Sequence, residues 1–251
     1  MRATAHVLRG IWIIRTEFDR LNAAQRRLLV RVWTQKMLQI LGAELEVHGQ
    51  PPDHGPLLQL ANHVSWLDIL VMNAAYPSRF VSKADARHWP VLGALITGAG
   101  TLYIERENRR DAMRVVHRMS DALREGDILS VFPGGTTSDG TGLLPFHANL
   151  LQAAIAANAP VLPVAIRFVD GRTGAPHLAP VFVGDTTLMA SIWAVLGASH
   201  LRAVVRYGQP QAAHGRDRRT WANDVRDEVQ RLLEVSAAVQ SPPGSAGAAP
   251  V

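Results

Sequence analysis

The chain has no cysteine among its 251 residues, and this absence excludes several kinds of chemistry. Neither a cysteine nucleophile nor a disulfide framework nor a thiolate metal site can be built. Charged residues make up 19% and aromatic residues 6%, whereas apolar residues make up 47%. This composition is typical of a globular protein that buries a sizeable core.

Several recognisable motifs are also missing. There is no G-x-S-x-G nucleophile elbow and no H-E-x-x-H zinc motif, and the ten histidines do not fall at metal-ligand spacing. We therefore predict no metal and no cofactor. The apolar run at residues 7–14 is interrupted by Arg9 and is far shorter than the roughly 20 residues that cross a bilayer. No clean cleavage site follows it, so a secretory signal is not expected.

Negative charge is scarce at the N-terminus. The net charge of the chain is +5, and the first 36 residues contain eight basic residues against two acidic ones. Such an excess favours anionic partners, namely phospholipid headgroups, nucleic acid or phosphate-bearing substrates. The aromatic–basic interleaving of a nucleic-acid stacking platform is missing, so we predict no nucleic-acid partner.

The basic N-terminal segment has the pattern of an amphipathic helix. Asn22 and Gln25 are placed to cap a helix over residues 23–41, and residues 3–18 could form a second one. A helix of this kind can lie in a membrane interface, or it can pack its apolar face on its own domain. We predict a pair of membrane-associating helices in residues 1–45. The apolar stripe of the helix at residues 23–41 would consist of Leu29, Trp33, Met37 and Ile40.

Strand-length apolar runs alternate with helical patterns after Gly42. This alternation predicts an α/β fold, with a mixed, mostly parallel sheet flanked by helices. We assign residues 46–235 to one catalytic domain and residues 236–251 to a disordered tail rich in alanine, serine, proline and glycine. The predicted strands are 57–61, 80–82, 101–104, 128–132, 161–168, 181–183 and 201–207, and the predicted helices are 111–123, 148–157 and 221–235.

The most informative segment is N-H-V-S-W-L-D at residues 62–68. His63 can take a proton near neutral pH, and Asp68 is close enough in sequence to fix its tautomer. Five residues on a helix turn the chain by about 500°, so the two side chains meet only if His63 precedes a helix and Asp68 lies in its first turn. In an alternative interpretation Ser65 caps the helix, Asp68 only satisfies backbone donors, and His63 is structural.

Two later segments have the composition of anion sites. Arg106 follows the apolar run at residues 101–104, and ligands of open α/β sheets bind at the carboxyl ends of strands. It could equally be a solvated arginine paired with Glu105 or Glu107. Residues 131–140 lead from a strand into two glycines and three hydroxyl residues, which can bring backbone N–H groups to an anion or form a plain turn.

These segments, taken in order, resemble the glycerolipid acyltransferase family, of the type that acylates 1-acyl-glycerol-3-phosphate. The family's first block, N-H-x4-D, matches residues 62–68, and its second, a glycine, an aromatic–isoleucine pair and an arginine, matches residues 100–106. Its third block, F-P-E-G-T-R-S, is matched in part by residues 132–138. Its fourth block, a V-P-V/I strand after an alanine-rich helix, is matched by residues 161–166. Order and spacing agree over about residues 45–210.

The resemblance implies an O-acyltransferase of membrane lipid biosynthesis. His63 would deprotonate the hydroxyl of a lysolipid as that oxygen attacks the thioester of acyl-CoA or acyl carrier protein, and Asp68 would hold the imidazole, as in a hydrolytic triad. It also implies a peripheral or monotopic protein on the lipid surface, at the cytoplasmic face of the inner (plasma) membrane. The substrate-binding residues implied are Lys83, Arg106, Gly135, Thr136 and Thr137.

Two departures from the family pattern concern the third block. The family's glutamate is Gly134 here, and its arginine is Thr137. Losing the arginine removes a bidentate phosphate ligand, which weakens the case for a lysophosphatidate acceptor. The segment G-T-T-S-D-G at residues 135–140, with L-P-F-H at residues 144–147, resembles instead the branch that acylates lyso-ornithine lipid or other lysolipids. Losing the glutamate leaves open a second interpretation, a catalytically impaired relative that binds lipid or acyl-CoA.

Overall fold

The computed structural model describes residues 1–89, 92–104 and 109–240. Short 3-10 turns at Phe18–Arg20, Ala84–His88 and Ala148–Leu150 supplement the regular elements. The helices are α1 (Arg2–Thr16), α2 (Ala23–Leu41), α3 (Leu67–Ala75), α4 (Leu92–Gly98), α5 (Arg109–Arg124), α6 (Leu151–Ala157), α7 (Leu188–Leu196) and α8 (Arg218–Gln240). The strands are β1 (Glu44–His48), β2 (Leu57–Ala61), β3 (Arg79–Lys83), β4 (Leu102–Ile104), β5 (Ile128–Val131), β6 (Val161–Asp170) and β7 (Leu201–Tyr207).

Within the described residues the strands form one sheet in the order β1-β7-β6-β2-β5-β3-β4. Every neighbouring pair is parallel except β6 and β7, which are antiparallel. The predicted mixed, mostly parallel α/β sheet is therefore confirmed. Because β2, β5, β3 and β4 run in the same direction, the segments that follow them emerge at a common edge of the sheet.

Helices cover both faces of this sheet. Strand β2 illustrates this burial on both faces. Leu57 and Ala61 point to one face of the sheet, Leu58 and Leu60 point to the other, and all four side chains are buried. A strand buried on both faces reads as a continuous apolar run. One face packs against α2, α3 and α7 through residues such as Leu38, Leu67 and Val195, and the opposite face against α5, α6 and α8 through Met119, Leu151 and Trp221.

Some predicted boundaries were wrong. Residues 181–183 are irregular rather than a strand, because the N–H of Phe182 donates to the carbonyl of Val64 and not to a neighbouring strand. Strand β1 was not predicted, and it begins at Glu44, inside the segment assigned to the N-terminal appendage. It is an edge strand whose two glutamates pair with Arg202 of β7, so it lacks the apolar run of a central strand.

Helix α8 continues to Gln240 and so includes the first five residues of the predicted tail, 236–240, whereas residues 241–251 lie outside the described part of the chain. Helices α4 and α7 were also not predicted. Among the described helices, none is both long enough and apolar enough to span a bilayer.

The apolar residues predicted to face a membrane from the N-terminal helices are placed differently in the structure. Asn22 and Gln25 do form a reciprocal capping box at the start of α2. However, Met37 is buried in the core together with Leu38 and Leu41, and the Trp33 ring stacks on His6 of α1. Most of the predicted stripe therefore faces the protein. The apolar side chains that α1 and α2 do expose are Leu8, Trp12, Leu28 and Val32.

Candidate active site

The site begins where β2 ends. Asn62 follows the last residue of this strand, and its buried side chain spans to the neighbouring strand β6. Its amide nitrogen donates to the carbonyl of Ile166 at 2.9 Å, and its amide oxygen accepts from the N–H of the same residue at 2.8 Å. This double hydrogen bond fixes the backbone just before His63.

His63 and Asp68 meet across the turn into α3. Nδ1 of His63 lies 2.7 Å from Oδ2 of Asp68, whose side chain is fully buried. Helix α3 begins at Leu67, so Asp68 lies in its first turn, as the spacing argument requires. The positive end of the helix dipole stabilises a carboxylate there.

The same carboxylate also holds the turn. Oδ2 of Asp68 accepts the N–H groups of Val64 at 2.8 Å and Ser65 at 3.0 Å, while the hydroxyl of Ser65 accepts from the N–H of Leu67 at 3.1 Å. Asp68 therefore makes the contacts that both interpretations expected, with His63 and with backbone donors. The predicted N-cap at Ser65 was wrong, because the N-cap of α3 is Trp66. One oxygen organises the backbone and orients the histidine, and the other, Oδ1, has no partner among the described residues.

The remaining imidazole nitrogen, Nε2, is the one that a ligand can reach. A carboxylate can only accept, so the contact assigns the proton to Nδ1 and leaves the lone pair on Nε2. Nε2 has no hydrogen-bond partner within the described part of the chain, and the side chain is 18% exposed. His63 can therefore take a proton from a molecule that enters from outside.

The ring of Phe132 forms a wall beside His63. The two rings are parallel to within 5° and their centroids lie 3.8 Å apart. Phe80 supports Phe132 from behind, with ring centroids 5.7 Å apart. One face of the imidazole is thus covered by an aromatic ring.

The loop after β5 is attached directly to this turn. The N–H of Ser138 donates to the carbonyl of His63 at 2.8 Å, and the hydroxyl of Thr137 donates to the carbonyl of Phe182. Phe182 in turn donates to the carbonyl of Val64 at 2.9 Å. Farther along the loop, the N–H and hydroxyl of Thr141 donate to Asp139 and hold the pKa of that carboxyl below its usual range.

The loop residues predicted to bind substrate are not equivalent. Gly135 adopts a positive φ of 78°, and its N–H donates to the carbonyl of Phe132 at 3.0 Å, so it forms the turn. The hydroxyl of Thr137 is committed to Phe182. Thr136 is exposed, and neither its N–H nor its hydroxyl has a partner among the described residues, so it is the one of the three that is free for a ligand. Arg106 and the side chain of Lys83 lie outside the described residues, although the backbone of Lys83 ends β3.

Gly134 faces a leucine. A Cβ atom added at this position would lie 3.1 Å from Cβ of Leu144, which is closer than an ordinary van der Waals contact. The apolar side chain of Leu144 thus occupies the space beside the glycine.

Sequence reasoning assigned no role to Asn62, Phe132 or Phe182. The first two lie inside quoted motifs, and their position directly after β2 and β5 is the one signal that could have identified them. Phe182 lay in a falsely predicted strand. Within the residues that the structure describes, no three histidine, aspartate or glutamate side chains converge as metal ligands.

Comparisons with known proteins identify similar sequences. Residues 44–167 match the model of a family described as Acyltransferase. A 1-acyl-sn-glycerol-3-phosphate acyltransferase of Neisseria gonorrhoeae is 38% identical over 198 residues, which cover 78% of this chain and 77% of that protein. A lyso-ornithine lipid O-acyltransferase of Pseudomonas aeruginosa is 35% identical over 213 residues, which cover 85% of this chain and 81% of that protein.

One solved structure shares the fold. The crystal structure of the 1-acyl-sn-glycerophosphate (LPA) acyltransferase, PlsC, from Thermotoga maritima superimposes with a TM-score of 0.62. The match covers 93% of this chain and 97% of that one, at 16% sequence identity. The similarity is therefore one of architecture, and it extends over most of the chain.

Proposed function

This chain belongs to the acyltransferase family, and on that premise we propose that it transfers a fatty acyl group from an acyl thioester to the hydroxyl of a lysolipid. The donor would be acyl-CoA or acyl carrier protein. The observation that carries the proposal is the His63–Asp68 contact of 2.7 Å, with Nε2 of the histidine unoccupied and reachable from outside.

The reaction follows from this arrangement. Nε2 of His63 accepts the proton of the acceptor hydroxyl while the oxygen attacks the thioester carbonyl, and the ester C–O bond forms as a tetrahedral oxyanion appears. The C–S bond then breaks, and the departing thiolate takes the proton back from the imidazolium. Asp68 stabilises the charged imidazolium between the two steps. No acyl-enzyme is required, which agrees with the absence of cysteine.

The oxyanion needs a donor close to His63. The N–H of Thr136 has no partner among the described residues, and the loop that carries it is bonded to the carbonyl of His63 through Ser138. A preorganised backbone N–H that faces developing negative charge typically contributes a hundredfold or more to the rate. We assign this role to Thr136.

The loop also bears on the choice of acceptor. Residues 132–141 contain no lysine or arginine, and they include Asp139. A phosphate monoester is normally held by arginine or lysine, whereas a zwitterionic headgroup does not require a cation in this loop. This composition supports a lyso-ornithine lipid acceptor over 1-acyl-glycerol-3-phosphate.

We further propose that the protein works at the cytoplasmic face of the inner membrane. Both substrates are amphiphiles, so the site must reach a lipid surface. Leu8, Trp12, Leu28 and Val32 are exposed on α1 and α2, and eight basic residues lie within the first 36. Exposed apolar side chains beside cationic ones are the combination that binds a helix to an anionic interface.

The experiment is an acyl-transfer assay that follows release of the free thiol of the acyl donor. The purified full chain would be given acyl-CoA with lysophosphatidate or with lyso-ornithine lipid, and each reaction would be repeated with acyl carrier protein as donor. We expect turnover that His63→Ala abolishes. The matched control is His117→Ala, which removes an exposed histidine from α5 on the opposite face of the sheet and leaves turnover intact.

An impaired relative that only binds lipid or acyl-CoA is the competing candidate, and Gly134 is the feature that favours it. The three hydrogen bonds at Oδ2 of Asp68 support the enzyme instead, because a protein that only binds lipid has no need of a buried carboxylate on a partly exposed histidine. Absence of thiol release with every donor and acceptor, from a protein that still binds acyl-CoA, would decide for the binder.

A further inference from the structure

A groove lies between α1 and α4, apart from the His63 site. Its volume is about 370 Å³, which is within the range of small-ligand pockets. Ile11 and Ile14 of α1 and Ala94 of α4 form its apolar side. Gly98 forms part of its lining, and a Cβ atom there would overlap Ile14, so the two helices touch at this point.

The polar end of the groove is cationic. Arg15 of α1 and Arg87 of the turn before α4 line it, and the lining includes no acidic residue. Among the residues that the structure describes, neither arginine has an ion-pair partner. Two guanidinium groups that share a groove without a carboxylate repel each other and favour an anion between them.

One of these arginines is held in place. The guanidinium of Arg87 lies 6.0 Å from the ring centroid of Tyr103, within the range of a cation–π contact. The hydroxyl of Tyr103 is 2.7 Å from the hydroxyl of Thr97, which also lines the groove. Arg87 is thus positioned by a ring that is itself fixed to α4.

We propose that this groove binds an anionic phospholipid of the bilayer, with its phosphate between Arg15 and Arg87 and an acyl chain along Ile11, Ile14 and Ala94. Arginine suits a phosphate because its planar fork donates two parallel hydrogen bonds. The apolar side of the groove favours a lipid over a free phosphate ion, which has no group to place there. The inference rests on the proposed function in one respect, namely that α1 lies at a membrane surface.

The test compares two double variants that lose the same charge from the same region. Arg15→Gln with Arg87→Gln empties the groove of cations, whereas Arg2→Gln with Arg9→Gln removes two exposed arginines of α1 that do not line it. Binding of the full-length proteins to vesicles of phosphatidylcholine containing phosphatidylglycerol would be measured by sedimentation. Both variants lose two surface charges that an anionic membrane attracts, and the groove pair also loses its charge-assisted hydrogen bonds to the phosphate. We expect the groove pair to lose roughly tenfold more affinity than the control pair.

Equal losses for the two pairs would mean diffuse attraction and would overturn the site. Inorganic phosphate that displaced the protein from vesicles at constant ionic strength would show a free-phosphate site and overturn the lipid assignment. If the glutamine pair did not fold, Arg15→Lys with Arg87→Lys decides. The lysine pair keeps both positive charges but lacks the planar guanidinium group that donates two parallel hydrogen bonds. Binding equal to that of the unmodified protein would therefore refute the bidentate arrangement.

The two proposals fail separately. Vesicle binding does not involve His63, so the His63→Ala protein should retain the full difference between groove and control variants. If no thiol is released but vesicle binding still depends on Arg15 and Arg87, the acyltransferase proposal is wrong and the lipid site is supported. If thiol is released but the groove and control variants bind vesicles equally, the lipid site is wrong and the acyltransferase proposal is supported.

Discussion

The imidazole of His63 lies flat against the ring of Phe132, with centroids 3.8 Å apart and planes 5° apart. The two residues are 69 positions apart in the chain and come from the ends of adjacent parallel strands, β2 and β5. An aromatic face attracts a cation, so in the proposed reaction the ring would stabilise the transient imidazolium. Phe132 thus fixes the orientation of the imidazole.

Removing this ring should slow the reaction without weakening substrate binding. We expect Phe132→Leu to lower kcat by roughly 2- to 30-fold, which corresponds to a cation–π contribution of about 0.5–2 kcal/mol, with little change in KM. Phe132→Tyr keeps the aromatic face and should retain most of the activity. The control is Phe146→Leu, in the same loop region but packed on the other side of the sheet. A rise in KM with kcat unchanged would assign Phe132 to substrate binding instead.

The two tasks of Asp68 can be separated by substitution. Asp68→Asn keeps an oxygen that can accept the N–H groups of Val64 and Ser65 but cannot hold the imidazolium, so kcat should fall by about three to four orders of magnitude. The midpoint of thermal unfolding should change little. Asp68→Ala also leaves three buried donors unpaired, and we expect it to cost at least about 3 kcal/mol of the free energy of unfolding. Similar unfolding for both variants would show that the carboxylate has no structural task.

Asn62 should matter for stability more than for chemistry. Asn62→Ala leaves the N–H and the carbonyl of Ile166 without side-chain partners in a buried part of the sheet. We expect a loss of about 2–4 kcal/mol in the free energy of unfolding, measured by urea denaturation. Asn149→Ala, at an exposed asparagine, is the control and should be nearly neutral. A change below about 0.5 kcal/mol for Asn62→Ala would mean that water replaces the amide.

Position 134 should respond to its neighbour. A side chain at Gly134 meets Cβ of Leu144 at 3.1 Å, so Gly134→Glu alone should destabilise the protein by about 1–3 kcal/mol. Leu144→Gly removes that Cβ atom, and the double variant should therefore be more stable than the sum of the single effects predicts. The measurement is a double-mutant cycle on the free energy of unfolding, with thiol release assayed for each protein. Strict additivity would show that the two positions do not interact.

Local patterns in the sequence determined several elements. The capping pair Asn22 and Gln25 placed the start of α2 at residue 23, because a capping box involves neighbours three residues apart. The apolar run at 57–61 placed β2, because a strand buried on both faces has no polar side. Spacing alone placed His63 before a helix and Asp68 in its first turn, since no other arrangement brings them together. Edge strand β1 escaped prediction, because its glutamates are explained only by Arg202, 156 residues or more away.

The tertiary structure decided which neighbours complete the site. The stacking of Phe132 on His63, the attachment of Asn62 to Ile166 and the bond from Ser138 to the carbonyl of His63 all join residues far apart in the chain. It also decided that Thr137 faces Phe182 while Thr136 stays free, although the two are adjacent and chemically identical. Periodicity and capping report only interactions within a few residues. The order of strands in a sheet sets the rest, because it brings the ends of β2 and β5 to one edge.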